Sequence, residues 1–362
     1  NAPESVPVDT GIVYLDGTTA ARLWQHSRGR DSTLGKAVET NTAVNLYGDF
    51  LMPLAPRTDA DQYMNDCSDG LATDALKDIR HRIWDDLRGI PFFVETLSPA
   101  RFLHFGTVRE YQRLITYDDQ DIRALGGRRR VSHWLAPGCT VDDTACLMSS
   151  SADRNAVIEA GASLQYARVG ARGRVGAEAM TSNLDLSPDC DVPAGVVVDG
   201  LPLRTAEGQP GFVVRVWGID DNPKHPVSSA TFLGQALKDW LQHCGLETHE
   251  LWPDAADDAE RTLWEARLFP AASTQVEAWQ SVIWMFDTVA SAGGSPTQTP
   301  PAQWREATRV SLSQSARQAD LKALGKYRED LFAELVFTKC RQNFRREKPV
   351  QEWFDKIPNV RD

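Results

Sequence analysis

The spacing of apolar residues divides the chain into three stretches. Up to about residue 125, short strand-like runs alternate with amphipathic helices. Residues 7–15 are rich in β-branched and apolar side chains and close on Asp16-Gly17, which predicts a buried strand. Helices are expected over 18–25 and 42–54, the second with Leu46, Phe50 and Leu54 on one face. A third is marked by Leu76, Ile79, Ile83 and Leu87 and is stopped by Gly89 and Pro91. Strands are expected over 91–97 and 101–105. Thr107 then opens a helix with Glu110 at capping-box distance, where each side chain satisfies a free backbone donor of the first turn. This order predicts an α/β layer.

After Gly126-Gly127 and the run Arg128, Arg129, Arg130, the period becomes six. Val141 and Leu147 start the beat. Val157, Ser163, Val169, Val175, Thr181 and Ser187 continue it, with Gly-Ala pairs after Val169 and Val175. Such a repeat fits a parallel, left-handed β-helix: each hexapeptide is one flat side of a triangular coil, its aliphatic residue points inward, and Gly or Ala eases the corner. The coils are expected over 130–225. Residues 226–362 read as a mainly helical region, with helices over 232–241, 259–268 and 276–286. A longer amphipathic helix there carries Leu321, Leu324, Leu331 and Leu335.

Composition narrows the function classes. The 362 residues hold 39 Lys and Arg against 50 Asp and Glu, a net charge of −11. That acidic balance argues against nucleic acid as a partner, because sequence-independent binding relies on a basic face. No run approaches the roughly 20 apolar residues of a membrane helix. The six cysteines, at 67, 139, 146, 190, 244 and 340, include no CxxC pair, so neither a zinc site nor a disulfide framework is indicated. A cytoplasmic setting is the simplest expectation. The chain opens at Asn1 with no leader pattern.

Four sequence words stand out: Asn45-Leu46-Tyr47-Gly48-Asp49-Phe50-Leu51, Phe102-Leu103-His104-Phe105-Gly106-Thr107-Val108-Arg109-Glu110-Tyr111, Val216-Trp217-Gly218-Ile219-Asp220-Asp221-Asn222-Pro223-Lys224 and Leu263-Trp264-Glu265-Ala266-Arg267-Leu268-Phe269-Pro270. Together they resemble the fucose-1-phosphate guanylyltransferase (GDP-L-fucose pyrophosphorylase) family, which includes the guanylyltransferase half of bifunctional L-fucokinase enzymes. The resemblance reaches the segment Lys326-Tyr327-Arg328-Glu329-Asp330-Leu331-Phe332. It implies a Rossmann-like nucleotidyltransferase part over 1–125 ahead of the β-helix, and guanylyl transfer from GTP to L-fucose 1-phosphate. Mg²⁺ is the implied cofactor, and a fused or covalently linked sugar kinase domain is an implied partner. Such a transfer needs positioned cations to offset charge at the phosphates more than it needs a protein nucleophile.

Asp49 is the candidate catalytic and metal carboxylate, since Mg²⁺ takes one or two carboxylates alongside phosphate and water oxygens. It is expected on the helix face opposite Leu46, Phe50 and Leu54; the bland reading is a hydrogen-bonded helix acid. Asp9, Thr10 and Gly11 are substrate candidates by the Thr-Gly pattern that the wider nucleotidyltransferase class places beside the sugar. Their alternative is a strand-entry turn. His104, Gly106 and Thr107 stand where a strand enters a capped helix, where free N–H groups favour an anion; a purely structural turn is the alternative. Arg128, Arg129 and Arg130 read as solvated charge, Asp220 and Asp221 as a turn, and Trp264, Phe269, Trp284 and Phe286 as core.

No Gly-rich phosphate loop followed by Arg and Lys, and no Gly-x-x-x-x-Gly-Lys motif, occurs in the chain. With the resemblance, this leads to the expectation that the GTP-binding half lies upstream and that the chain alone is inactive. Two rivals are a hexapeptide-repeat acyltransferase, disfavoured because no His lies between His133 and His225, and a noncatalytic assembly domain.

Overall fold

The computed structural model describes residues 12–40, 42–67, 72–96, 98, 103, 106–117, 119–124, 127–205, 208–253, 260–289 and 299–345. The chain forms two compact units, Asn1–Phe102 and Leu103–Asp362. The capped helix after Thr107 thus belongs with the coils.

In the first unit, α1 (Gly17–Gln25), α2 (Thr33–Glu39), α3 (Ala60–Met64) and α4 (Asp74–Leu87) each start at a residue whose side chain accepts a backbone N–H of the first turn: Asp16, Ser32, Asp59 and Thr73. Ile79, Ile83 and Leu87 of α4 form the core with Ala37 and Leu54, flanked by Leu23, Val44, Phe50 and Leu51. Each fully buried aliphatic side chain contributes about 1.5–3 kcal/mol.

Two expectations fail among the described residues of this unit, and the strand expected over 101–105 lies outside them apart from residue 103. Residues 42–54 do not make one α-helix: a π-helical turn spans Leu46–Leu51 and a 3₁₀ turn spans Met52–Leu54. Pro53 has no N–H to continue an α ladder, and its ring clashes with the preceding turn. Leu46 therefore faces solvent while Phe50 and Leu54 pack inward. Residues 12–15 and 91–96 join no sheet, and Ile12, Tyr14, Phe93 and Val94 are exposed. A strand is stabilised by its partner, and no strand forms among the described residues of this unit. The α/β layer is therefore not formed among those residues.

The second unit contains the parallel solenoid, of about four turns. Its coil is 17 residues long: Thr140 pairs with Val157, Val157 with Arg174, and Arg174 with Asp191. Each coil is two hexads and a pentad, so a strict six-residue beat slips by one residue per turn. The inward columns are Leu147, Leu164, Thr181 and Val198; Val141, Ile158, Val175 and Val192; and Leu135, Ala152, Val169 and Leu186. Val157 and Ser163, in phase by the sixes, sit one place aside. Corners repeat at the same spacing with left-handed backbone, at Ser132, Ser149, Tyr166 and Asn183, then Asn155, Arg172 and Asp189, then Gly161, Glu178 and Gly195. Arg168–Asp185, Arg172–Asp189 and Arg174–Asp191 pair successive coils on the outside.

The antiparallel hairpin β1 (Val196–Arg204) and β2 (Pro210–Gly218) closes the solenoid. Beyond it lies an aromatic core of Phe232, Trp240, Trp284 and Trp304. The helix expected over 232–241 starts only at Leu237, after a short hairpin. That over 276–286 is α-helical over Gln275–Val282 and 3₁₀ beyond. Residues 260–268 form no helix, because their backbone bonds go to another loop: Trp264 N donates to Pro223 O (2.7 Å) and Arg261 O accepts from Val227 N (2.7 Å). The long helix Leu321–Arg345 lies along the coils, with Tyr327 Oη donating to Asp185 (2.8 Å) and Arg328 Nε to Asn183 (2.9 Å). No described helix is long and apolar enough to cross a membrane.

Candidate functional site

The π-helical winding of Leu46–Leu51 turns Asp49 inward, to 3% exposure. Its Oδ1 accepts from Arg80 Nε at 2.7 Å and its Oδ2 from Asn45 N at 2.6 Å. Tyr63 Oη donates to the Asp49 carbonyl (2.6 Å), and Arg80 Nη1 also reaches the Asp66 carbonyl (2.8 Å). Burial beside this carboxylate pushes the Tyr63 phenol well above its ordinary 10.0. Asp49 is therefore interior rather than on a solvent-facing helix side, and both its oxygens are engaged by protein donors. No group of three or more His, Cys, Asp or Glu able to hold a metal occurs among the described residues.

Asp9, Thr10, Gly11 and His104 lie outside the described residues. Gly106 and Thr107 are described, and both their N–H groups donate to Glu110 Oε2, at 2.8 and 3.1 Å, while Thr107 Oγ1 accepts from Glu110 N. The capping box expected from the sequence is complete, so an anion at these amides would have to displace Glu110.

The helix that follows, α5 (Val108–Thr116), carries Arg109 to the corner column of Gly161, Glu178 and Gly195. Arg109 grips Asp220 with both arms, Nε to Oδ1 at 2.7 Å and Nη2 to Oδ2 at 2.6 Å, and ion-pairs with Glu178. The guanidinium holds the Asp220 carboxyl below its ordinary 3.8. Gln112, fully buried, donates to Gly161 O at 2.6 Å. Asp221 points the other way and accepts from Gly218 N, Leu233 N and Thr231 Oγ1, at 2.6, 2.9 and 2.7 Å. Burial outweighs those bonds and pushes its carboxyl up. The Asp-Asp turn is thus structural, as its spacing suggested, and it joins two of the four sequence words.

Past the turn the chain enters a cleft of about 580 Å³. Lys224, Trp264, Glu265, Arg267 and Gln314 supply its chemistry, and Trp252 and Thr262 its wall. Trp264 is 38% exposed. Trp252 is buried, with its indole N–H donating to Thr262 O (2.9 Å). Arg267 is held by Nε on Leu251 O (3.3 Å), at the end of α6 (Thr248–Leu251). Sequence reasoning marked the stretches around Lys224 and Arg267 but read Trp264 as core. The missing information was the 223–264 contact, which no local pattern encodes.

Comparison with known proteins bears on what these words mean. The sequence model of the fucose pyrophosphorylase domain matches residues 1–274. The chain belongs to the fucose pyrophosphorylase family. Its curated relatives include the fucose-1-phosphate guanylyltransferase of Mus musculus, 24% identical over 337 residues, 91% of this chain and 54% of that protein. The enzyme of the same name from Homo sapiens is 24% identical over 302 residues, 81% of this chain and 48% of that protein. The chain spans about half the length of these curated relatives. No solved structure matches it. The fucose pyrophosphorylase domain therefore takes in three features of this chain: the Asp49–Arg80 pair, the Arg109–Asp220 clasp and the Lys224–Arg267 cleft.

Proposed function

We propose that this chain serves guanylyl transfer: GTP and L-fucose 1-phosphate give GDP-L-fucose and pyrophosphate. The observation that carries this reading is the family match over residues 1–274, with two curated relatives named for that activity. In the reaction a phosphate oxygen of the sugar phosphate attacks the α-phosphorus of GTP in line, the P–O bond to the β-phosphate breaks, and pyrophosphate leaves. Mg²⁺ enters with GTP as part of the substrate.

Mg²⁺ bound with a nucleotide takes one or two protein carboxylates, the rest of its shell being phosphate and water oxygens. Asp49 has both oxygens on protein donors, so no step is routed through a metal held there. Its geometry supports a positioning role, fixing the Leu46–Leu51 turn against α4. Asp9, Thr10 and Gly11 are assigned to the sugar by resemblance to the wider nucleotidyltransferase class, His104 to an anion by its place ahead of a capped helix, and Gly106 and Thr107 to the frame of that helix.

The test is product formation by the natural full-length protein, with GTP, L-fucose 1-phosphate and Mg²⁺. Chromatography should find GDP-L-fucose and pyrophosphate in equal amounts. Absence of both, or greater turnover with another sugar 1-phosphate, overturns the reading of substrate and reaction.

A further inference from the structure

The Lys224–Arg267 cleft is assigned no step of the guanylyl transfer, and its lining is specific in kind. Three segments far apart in sequence are stitched together to form it: Trp264 N donates to Pro223 O, and Ser313 N donates to Trp264 O (3.0 Å). The cleft carries two cations, Lys224 and Arg267. Neither Lys224 nor Arg267 forms an ion pair among the described residues, and Arg267 uses only Nε, on a backbone carbonyl. Behind them Arg305 pairs with Glu250, while Arg309 stacks on Trp304 at 4.1 Å and donates to Glu250 O. Burial, together with the nearby Arg267 and Arg305, pulls Arg309 below its ordinary value. Arg309 Nη1 is buried without a hydrogen-bond partner.

The same cleft holds Glu260, Glu265 and Gln314, acceptors suited to hydroxyl groups, and a half-open indole, Trp264. Two carboxylates in the lining beside Lys224 and Arg267 disfavour a nucleoside triphosphate, while two cations outside any ion pair among the described residues suit a single phosphate better than a neutral sugar. About 580 Å³ falls within the roughly 300–1,000 Å³ of small-molecule sites. We propose that the cleft binds a phosphorylated monosaccharide: Lys224 and Arg267 hold the phosphate, Glu265 and Gln314 the hydroxyls, and the ring lies on Trp264. This site requires only binding and stands whether or not the chain serves guanylyl transfer.

The test is calorimetric titration of the protein, without GTP, using L-fucose 1-phosphate, glucose 6-phosphate, free L-fucose and inorganic phosphate. At least one sugar phosphate should bind more tightly than phosphate or free sugar, and the preferred one identifies the source. Lys224→Ala and Arg267→Gln should each weaken it about tenfold or more, the loss of one charged hydrogen bond. Trp264→Ala should weaken the sugar phosphate but not inorganic phosphate. Lys224 is exposed, so its variant keeps the test open if the others misfold. Equal binding of phosphate alone, binding indifferent to Lys224→Ala, or no binding of either sugar phosphate at millimolar concentration overturns the proposal.

Discussion

Replacing Asp49 by Asn separates a structural acid from a metal ligand. Asn keeps the shape and one acceptor oxygen, which can serve Arg80 Nε or the Asn45 N–H but not both. The other position becomes an NH₂ group facing a donor. Losing one charge-assisted bond costs about 1.5–3 kcal/mol. Arg80, itself 3% exposed, is left without a counter-charge, and removing one partner of a buried pair costs about 3–5 kcal/mol. Its remaining bonds to the carbonyls of Asp66 (2.8 Å) and Met64 (3.4 Å) offset part of that, so we expect about 3 kcal/mol in total. In a unit of this size 1 kcal/mol moves the melting midpoint by about 4–8 °C, which gives a fall of about 12–24 °C. Hydrogen exchange of the α4 amides during a thermal ramp reads this unit alone. The double variant Asp49→Leu/Arg80→Met should recover much of the loss, because no charge stays buried. A change in Asp49→Asn below about 0.5 kcal/mol, accompanied by lost guanylyl transfer, would refute the structural reading and restore Asp49 as a metal ligand.

Three further outcomes follow from the second unit. Gly170→Ala should destabilise the solenoid by about 1–3 kcal/mol in chemical denaturation, because the new Cβ would lie 2.5 Å from Pro188 N and 2.6 Å from Ser187 C, both backbone atoms that only a shift of the coil can move. Arg109→Met should remove at most about 1 kcal/mol at pH 7, since Asp220 is largely exposed. Asp220 has its carboxyl held below 3.8, so the pair's contribution is present above that value and fades as pH falls through the lowered one. The difference between wild type and Arg109→Met should then narrow in unfolding titrations below pH 3.8, and a constant gap would contradict the assignment. Tyr327→Phe deletes the 2.8 Å bond to Asp185 and should cost about 1 kcal/mol, seen as faster hydrogen exchange in the Leu321–Arg345 helix with the coils unchanged.

Much of the local structure could be read from the sequence because its causes are local. The Thr107 and Glu110 capping box needs only three residues of spacing, and α4 is marked by Leu76, Ile79, Ile83 and Leu87 and ends at Leu87. The coils were legible as a class, since small and aliphatic residues recur, but the period came out as six where the structure repeats every 17. A pentad in each coil is invisible to a search for one fixed beat, whereas the Arg–Asp pairs 17 apart carry the true period. Asp49 was found as a residue and misplaced in environment. A helical wheel assumes α geometry, and the π turn before Pro53 rotates the carboxylate toward Arg80, 31 residues away.

By itself, then, the sequence determined the family, the helix caps and a repeating inward column, all of which depend on residue identity within a few positions or on the order of words along the chain. The tertiary structure alone decided which charges are paired and which are left open. Arg80 and Arg109 are neutralised by acids 31 and 111 residues away, while Lys224 and Arg267 line one cleft without an ion pair among the described residues. Charge is satisfied or left free by distance in space, and that distance is set by packing rather than by spacing along the chain.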